Sequence, residues 1–361
     1  MNEDIWPLLL EATKEIALLE GIGRTLPNPE ILLRPTADRE AIRSSKLEGT
    51  IATPRQLFLF ELDPVTPTSE SDPLNDHLEV FNYQRALRHG NNSDLPVSLR
   101  LIRELHATLL QNVRGQDKAP GEFRRIQVAI GTDRRFIPPP PHMLLHCLDV
   151  MEKYIHSKSP FHPLIDCFLV HYQFEAIHPF IDGNGRIGRL LLALMITRAC
   201  RLTKCWLYLS EYFDNHRSEY MQRLFEVSTE ARWAEWVKFC LEATIHQARA
   251  TVNRCERLRK VREEFTIRVN AIGGNVRLSQ IVEEIFHHPF LTVAALPAKY
   301  DVSYPTAKAD VDKLVAAGVL QELAGTKIKT YYAPEVFRVA YEELDFEQDA
   351  SDPNNGRTDV I

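Results

Sequence analysis

The stretch His178-Pro179-Phe180-Ile181-Asp182-Gly183-Asn184-Gly185-Arg186-Ile187-Gly188-Arg189 decides how the chain is read. Before it, Leu164, Phe168, His171, Tyr172 and Glu175 follow helical spacing, and Pro179 must end that helix because its ring nitrogen has no hydrogen to donate. After it, Leu190 to Arg198 reads as a buried helix. A polar, glycine-rich loop therefore joins two apolar helices and opens the second. Gly183 and Gly185 leave backbone N–H groups accessible beside a helix N-terminus, an anion site suited to phosphates. Asp182 offers a hard oxygen that could hold Mg²⁺ against phosphate oxygens. Arg186 and Arg189, three apart on one helical face, reach the same polyphosphate with forked donors. His178 at the loop entrance can take a proton from an attacking hydroxyl, since an imidazole titrates near neutral pH.

The competing reading is a buried helix–turn–helix in which His178 caps a carbonyl and the arginines solvate the surface. The chain carries its own control. His288-Pro289-Phe290 repeats the first three letters, but Leu291 and Thr292 follow, with no glycine, acid or arginine fork. That second copy is expected to be structural.

The loop resembles the signature of the Fic (filamentation induced by cAMP) family, HPF-x-[D/E]-G-N-G-R-x-x-R, at every fixed position. The resemblance implies a mainly α fold: a Fic helical core with a β-hairpin flap. It also implies an AMP transferase that splits ATP between its α and β phosphates and attaches AMP to Tyr, Thr or Ser hydroxyls of proteins, itself included. His178 would then be the general base and Asp182 the Mg²⁺ ligand. The loop amides of Gly183 and Gly185 with Asn184 would hold the α-phosphate, and Arg186 and Arg189 the β- and γ-phosphates.

Two flanking segments acquire roles from the same resemblance. Ile126, Val128 and Ile130 alternate with polar or small residues, Gly131-Thr132-Asp133 turns towards Phe136 and Ile137, and Pro138 to Pro141 impose an extended segment. Family members have a hairpin flap here that pairs with target backbone, so Val128, Ala129, Ile130 and Gly131 are expected to dock a protein substrate. In Ser210 to Tyr220, Tyr212 and Asn215 are the expected contacts to the nucleotide base, with packing or capping as the alternative.

Ser44-Ser45-Lys46-Leu47-Glu48-Gly49 resembles the family's inhibitory-helix pattern, [S/T]-x-x-x-E-[G/N]. The helix is expected to start after Thr36 or Asp38 as N-cap and to stop at Gly49 as the residue after the cap. Glu48 would pair with Arg189 and so remove the charge partner of the γ-phosphate. An exposed helix-end glutamate before a routine glycine stop is the plainer alternative.

The chain has 361 residues, 44% of them hydrophobic and 25% charged, the balance of an ordinary globular protein. With 43 Lys and Arg against 49 Asp and Glu, a net charge of −6 gives no global field attracting nucleic acid. Cys147, Cys167, Cys200, Cys205, Cys240 and Cys255 form no C-x-x-C pair and suit a reducing compartment. The start carries Asn2, Glu3 and Asp4 where a secretory signal would be basic, and Leu190 to Ile196 is too short to span a bilayer. A cytoplasmic protein with no membrane contact is expected.

The expected organisation is a helical region over 1–95 with helices near 4–20, 36–48 and 74–89, and a proline-rich loop around Pro64, Pro67 and Pro73. A catalytic core over 96–245, a connecting helix over 246–271, a small domain over 272–345 and a disordered acidic tail over 346–361 follow. The small domain reads as a winged helix, with helices over Val293–Ala298 and Tyr304–Ala317, and a two-stranded wing flanking Gly325. Over 292–334, lysines 299, 308, 313, 327 and 329 stand against acids 301, 310, 312 and 322, so a protein-interaction or structural role is expected ahead of DNA binding.

Relatives often dimerise, so a homodimer is a further expectation. Two rivals to AMP transfer remain. Some relatives phosphorylate, move other nucleotides, or remove AMP with the inhibitory glutamate positioning water. Gly185 argues against the phosphorylating variant, whose loop departs there. The other rival is a DNA-binding regulator whose core senses nucleotide without turnover.

Overall fold

The computed structural model describes the chain except residues 1–3, 27, 70, 114–118, 132–133, 325, 327 and 350–361. It divides into two compact units, one built from residues up to Thr25 and Thr36–Thr251, the other from Leu26–Pro35 and the residues from Val252 on.

The first unit is helical: α1 (Ile5–Thr25), most of α2 (Glu30–Leu47), α3 (Pro54–Leu62), α4 (Leu74–Asn92), α5 (Leu99–Leu109), α6 (Pro141–Ile155), α7 (Pro163–Ile177), α8 (Asn184–Ala199), α9 (Ser210–Asn215), α10 (Arg217–Glu230) and the first half of α11 (Trp233–Ala271). The centre is the pair α7 and α8, with α4 and α5 packed on α8 and α10 on α7. Every residue of α8 from Asn184 to Ile196 is buried. Such a helix, apolar all round after its first turns, is stable only inside a protein.

α2 departs from expectation. It begins at Glu30, not after Thr36 or Asp38, and carries Pro35 inside. Burial of Ile31 and Leu32 outweighs the one backbone bond a proline forfeits. Asp38 does not cap the helix; its Oδ1 accepts from Gln84 Nε2 at 2.6 Å. The C-terminus follows the glycine stop. Gly49 takes φ 90°, Thr50 N–H donates to Ser45 O at 3.1 Å and Gly49 N–H to Lys46 O at 2.9 Å. These two bonds make a Schellman motif and fix Glu48 as the capping residue.

α3 has no counterpart in the sequence expectation, although Thr53, Pro54 and Gln56 form a capping box with proline in the first turn. The flap is a short hairpin: Ile130 and Phe136 exchange both backbone hydrogen bonds in one antiparallel bridge, and among the described residues no longer strand forms around it. Arg135 closes it against α10, stacked 3.7 Å over the Phe225 ring. Residues 132 and 133 lie outside the described residues, and Pro141 is the first residue of α6.

In the second unit, α11 continues to Ala271 and is followed by α12 (Val276–Ile285), β1 (Phe290–Thr292), a 3-10 turn over Val293–Ala295, α13 (Leu296–Tyr300), α14 (Tyr304–Ala316), β2 (Gln321–Leu323), β3 (Thr330–Tyr332) and α15 (Pro334–Asp349). The helix expected over Val293–Ala298 is thus split into a 3-10 turn and a helix. The two expected strands pair antiparallel, Gln321 with Tyr332 and Leu323 with Thr330. A third strand, β1, joins β3 through Phe290–Tyr332. It begins at the last residue of the His288-Pro289-Phe290 repeat, where Phe290 is buried and Ala333 N–H donates to Pro289 O. Gly325 lies outside the described residues. α15 carries helix to Asp349, into the segment expected to be disordered; 350–361 lie outside the described residues. Leu258, Phe265, Ile281, Phe286, Val311 and Leu314 are among its core residues.

Among the described residues, no helix is long and apolar enough to cross a membrane.

Candidate active site

The loop between α7 and α8 is closed by two left-handed residues. His178 caps α7 with φ 49° and Gly183 precedes α8 with φ 76°. A histidine there is strained, and Pro179 behind it forbids another helical turn. Asn184 staples the loop: its Oδ1 accepts from Phe180 N–H at 2.8 Å and its Nδ2 donates to Phe180 O at 2.9 Å. Both ends of the Asn184 amide thereby hold loop backbone.

Three residues that sequence reasoning did not single out support the loop. Phe180 is fully buried and stacks on His106, centroids 3.7 Å apart. His106 Nδ1 accepts from Gly121 N–H at 2.8 Å, so its Nε2 carries the hydrogen and donates to Asp182 O at 3.0 Å. Burial pushes the His106 imidazole down to about 4, which keeps that tautomer neutral. Arg124 donates to the carbonyls of His178, Ile126, Pro139 and Ile177, tying the loop to the flap. Glu79 on α4 accepts from Arg186 Nη1 at 2.9 Å and from Thr50 Oγ1 at 2.7 Å.

His178 is ready to accept a proton. Its Nδ1 lies 3.3 Å from Glu175 O and donates to it, leaving Nε2 with a lone pair. Burial holds the imidazole at about 4, neutral at physiological pH. At the start of α8, the amides of Asn184, Gly185 and Arg186 precede the first intrahelical bond, from Ile187 N–H to Gly183 O, and so remain for an outside acceptor.

A carboxylate of the same chain stands there. Glu48 Oε1 accepts from Arg189 Nη2 at 2.8 Å, and a Cβ built on Gly185 would strike the Glu48 carboxyl. Arg189 also donates through Nε to Ser44 Oγ at 2.8 Å and through Nη2 to Ser44 O at 2.7 Å. Burial alone would raise the Glu48 carboxyl, but Arg189 outweighs it and holds Glu48 below its ordinary value. Burial likewise would lower Arg189, and Glu48 first among its neighbours lifts it above the usual range. α2 is further tied to α9 by Arg39 with Glu211, Arg43 with Asp214 at 2.9 Å and Lys46 with Asp214 at 3.6 Å.

Asp182 keeps about a third of its side chain exposed (35%), with Oδ1 accepting from Gly183 N–H at 2.6 Å and lying 3.7 Å from Arg186 Nη2. Among the described residues no group of three His, Cys, Asp or Glu could hold a metal alone. One exposed carboxylate beside an anion site nevertheless fits Mg²⁺, which keeps several waters and takes remaining ligands from phosphates. Tyr212 stacks on His216 with centroids 4.1 Å apart, and Asn215 ends α9 exposed. Val128, Ala129 and Ile130 are half-buried and Gly131 is exposed at φ 80°. An apolar cavity of about 770 Å³, lined by Val150, Ile165, Trp233 and others, includes no residue of 178–189.

A loop with free helix-start amides between two apolar helices, answered by a carboxylate from a neighbouring helix end, has the make-up of an anion site in a helical protein. Residues 96–196 match the Fic/DOC family and residues 6–92 its N-terminal region, and the chain belongs to that family. Over 131 residues it is 36% identical to protein adenylyltransferase Fic of Drosophila grimshawi and 35% to that of Drosophila melanogaster. The matched stretch is 35% of this chain and only 26% of the relatives, so it spans about a quarter of their length. A Fic family protein from Desulfovibrio desulfuricans G20 superposes with a TM-score of 0.62 at 20% identity, covering 92% of this chain and 96% of that one. Fic-1 from C. elegans gives 0.55 at 21%, covering 68% and 72%. At these identities the structural likeness is one of fold.

Proposed function

We propose that the chain transfers AMP from ATP to protein hydroxyls and that Glu48 restrains it. The observation carrying this reading is the placement of Glu48 on Arg189 over the first turn of α8, where a terminal phosphate would have to bind. In the productive complex the α-phosphate would lie on the amides of Gly183 to Arg186, with Arg186 and Arg189 on the β- and γ-phosphates. A protein hydroxyl, aligned along the Val128–Gly131 edge, attacks the α-phosphorus. Its proton passes to His178 Nε2, the bond to the β-phosphate oxygen breaks, and pyrophosphate leaves. Asp182 would hold Mg²⁺, which neutralises phosphate charge. Positioning and charge stabilisation supply most of the acceleration. With Glu48 in place, Arg189 is spent on a carboxylate and the γ-phosphate is repelled by it.

Several finer readings accompany this one. Tyr212, stacked on His216, and Asn215 are the candidates to contact the base. The elements α12 to β3 suit a winged helix, and Lys299, Lys308 and Lys329 are paired with Glu284, Asp312 and Glu322. That pairing favours a protein-interaction or structural role over phosphate tracking. The six cysteines are free and four are buried, which suits the reducing cytoplasm. A homodimer remains part of the proposal. The test is transfer of label from ATP marked on the α- or the γ-phosphate, with Glu48→Gly as the released form. Label from α alone supports AMP transfer, and label from γ would replace it with phosphoryl transfer.

A further inference from the structure

Helix α8 has glycines one turn apart, and a carboxylate fills the space beside each. At Gly185 a Cβ would strike Glu48; at Gly188 it would strike the Glu175 carboxyl and the Phe174 ring. Phosphate binding explains the first glycine, but it gives no reason for the second. Both carboxylates act on the charge of Arg189. They are used differently: Glu48 accepts from Arg189, whereas Glu175 Oε1 is buried with no hydrogen-bond partner.

The hydrogen bonds from Arg189 to Ser44 and Glu48 all end on the last turn and cap of α2. If that segment withdraws, a buried guanidinium loses its counter-charge before any phosphate arrives. An uncompensated buried charge is strongly unfavourable, and the side chain would be driven out of place. Glu175, one turn before His178, has its carboxyl against Gly188, the residue before Arg189, and already acts on the Arg189 charge.

We propose that Glu175 is a positioning residue that takes over Arg189 when Glu48 withdraws, holding the guanidinium ready for the terminal phosphates of a nucleoside triphosphate. This rests on Glu48 being a removable brake. The charged and titratable groups facing Glu175 are Arg189 from α8, Glu48 from the end of α2 and Tyr220 from α10. Burial lifts the Glu175 carboxyl to about 7, Arg189 opposes this and Glu48 reinforces it. Withdrawal of Glu48 removes the reinforcement and so favours the ionised form of Glu175 as Arg189 comes to need an anion.

The test compares the full chain as wild type, Glu175→Gln, Glu48→Gly and the double variant. Thermal unfolding is measured without nucleotide, and affinity for a non-hydrolysable ATP analogue with Mg²⁺ by calorimetry. Glu175→Gln should move the wild-type midpoint by no more than about 1 °C yet lower that of Glu48→Gly by about 3 °C or more. It should weaken analogue binding about tenfold in the Glu48→Gly background and flatten the loss of binding as that background is acidified. Glu175→Leu, also without charge, should give the same pattern should the amide variant not fold. Additive midpoints, or equal analogue affinity of Glu48→Gly with and without Glu175→Gln, would overturn the proposal. Both readouts concern folding and binding, so they stand whatever bond the enzyme breaks.

Discussion

Glu48 and Arg189, 141 residues apart in the chain, are joined at 2.8 Å by a bond from Nη2 to Oε1. Arg189 is buried (2% of its side chain exposed) while Glu48 keeps 34% open. The arginine is therefore the fixed half of the pair and the glutamate the one with a way out.

Acid should loosen this pair. Glu48 titrates below its ordinary value in the folded chain, so its stabilisation is complete above that ordinary value and is lost as pH falls through the lowered one. The midpoint difference between wild type and Glu48→Gln should be largest at neutral pH and shrink below about pH 4. Thermal unfolding across a pH series checks this; a difference constant with pH would contradict it.

Ser44 holds Arg189 through both its hydroxyl and its carbonyl. Ser44→Ala removes the first of these, a bond from a charged group, at a cost of about 1.5–3 kcal/mol. Denaturant unfolding should show the loss, and self-labelling with ATP should rise a fewfold as Arg189 gains freedom.

The two α8 glycines should respond differently to alanine. Gly188→Ala drives a methyl against Glu175 and the Phe174 ring inside the α7–α8 interface, costing about 1–3 kcal/mol. Gly185→Ala meets the tip of Glu48, a side chain that can swing away, and should cost less while displacing the carboxylate. Equal destabilisation would show that Glu48 is as rigidly held as Glu175.

Arg124 touches none of the expected phosphate ligands through its side chain, yet it gathers four carbonyls from the α7 end, the loop and the flap. Arg124→Ala should cost about 2–4 kcal/mol and abolish transfer, because His178 loses the support of its own carbonyl. Arg124→Lys should recover little, since one ammonium cannot replace a planar fork. Denaturant unfolding and label transfer measure the two effects.

The loop was legible because its chemistry is local: a proline stop, a left-handed glycine at Gly183 and two arginines within three turns of chain. Glu48 stood out through its resemblance to an inhibitory-helix pattern, while the residues themselves offered only a helix end before the glycine stop at Gly49. Residues that act through distant partners left no such mark. Glu79 meets Arg186 across 107 positions, and Arg124 reaches His178 across 54. α3 could have been read from its capping box at Thr53–Gln56. The early start of α2 could not, because only tertiary burial of Ile31 and Leu32 lets Pro35 sit within a helix. Alternation around Ile130 marked the short hairpin, which the chain closes with one antiparallel bridge to Phe136.

The most direct test is label transfer with ATP marked on the α- or γ-phosphate, comparing wild type, Glu48→Gly, and Glu48→Gly with His178→Ala. Label from the α-phosphate alone, at least tenfold stronger in Glu48→Gly than in wild type and absent from the double variant, is the predicted result. Label from the γ-phosphate, or equal labelling of wild type and Glu48→Gly, would contradict the account.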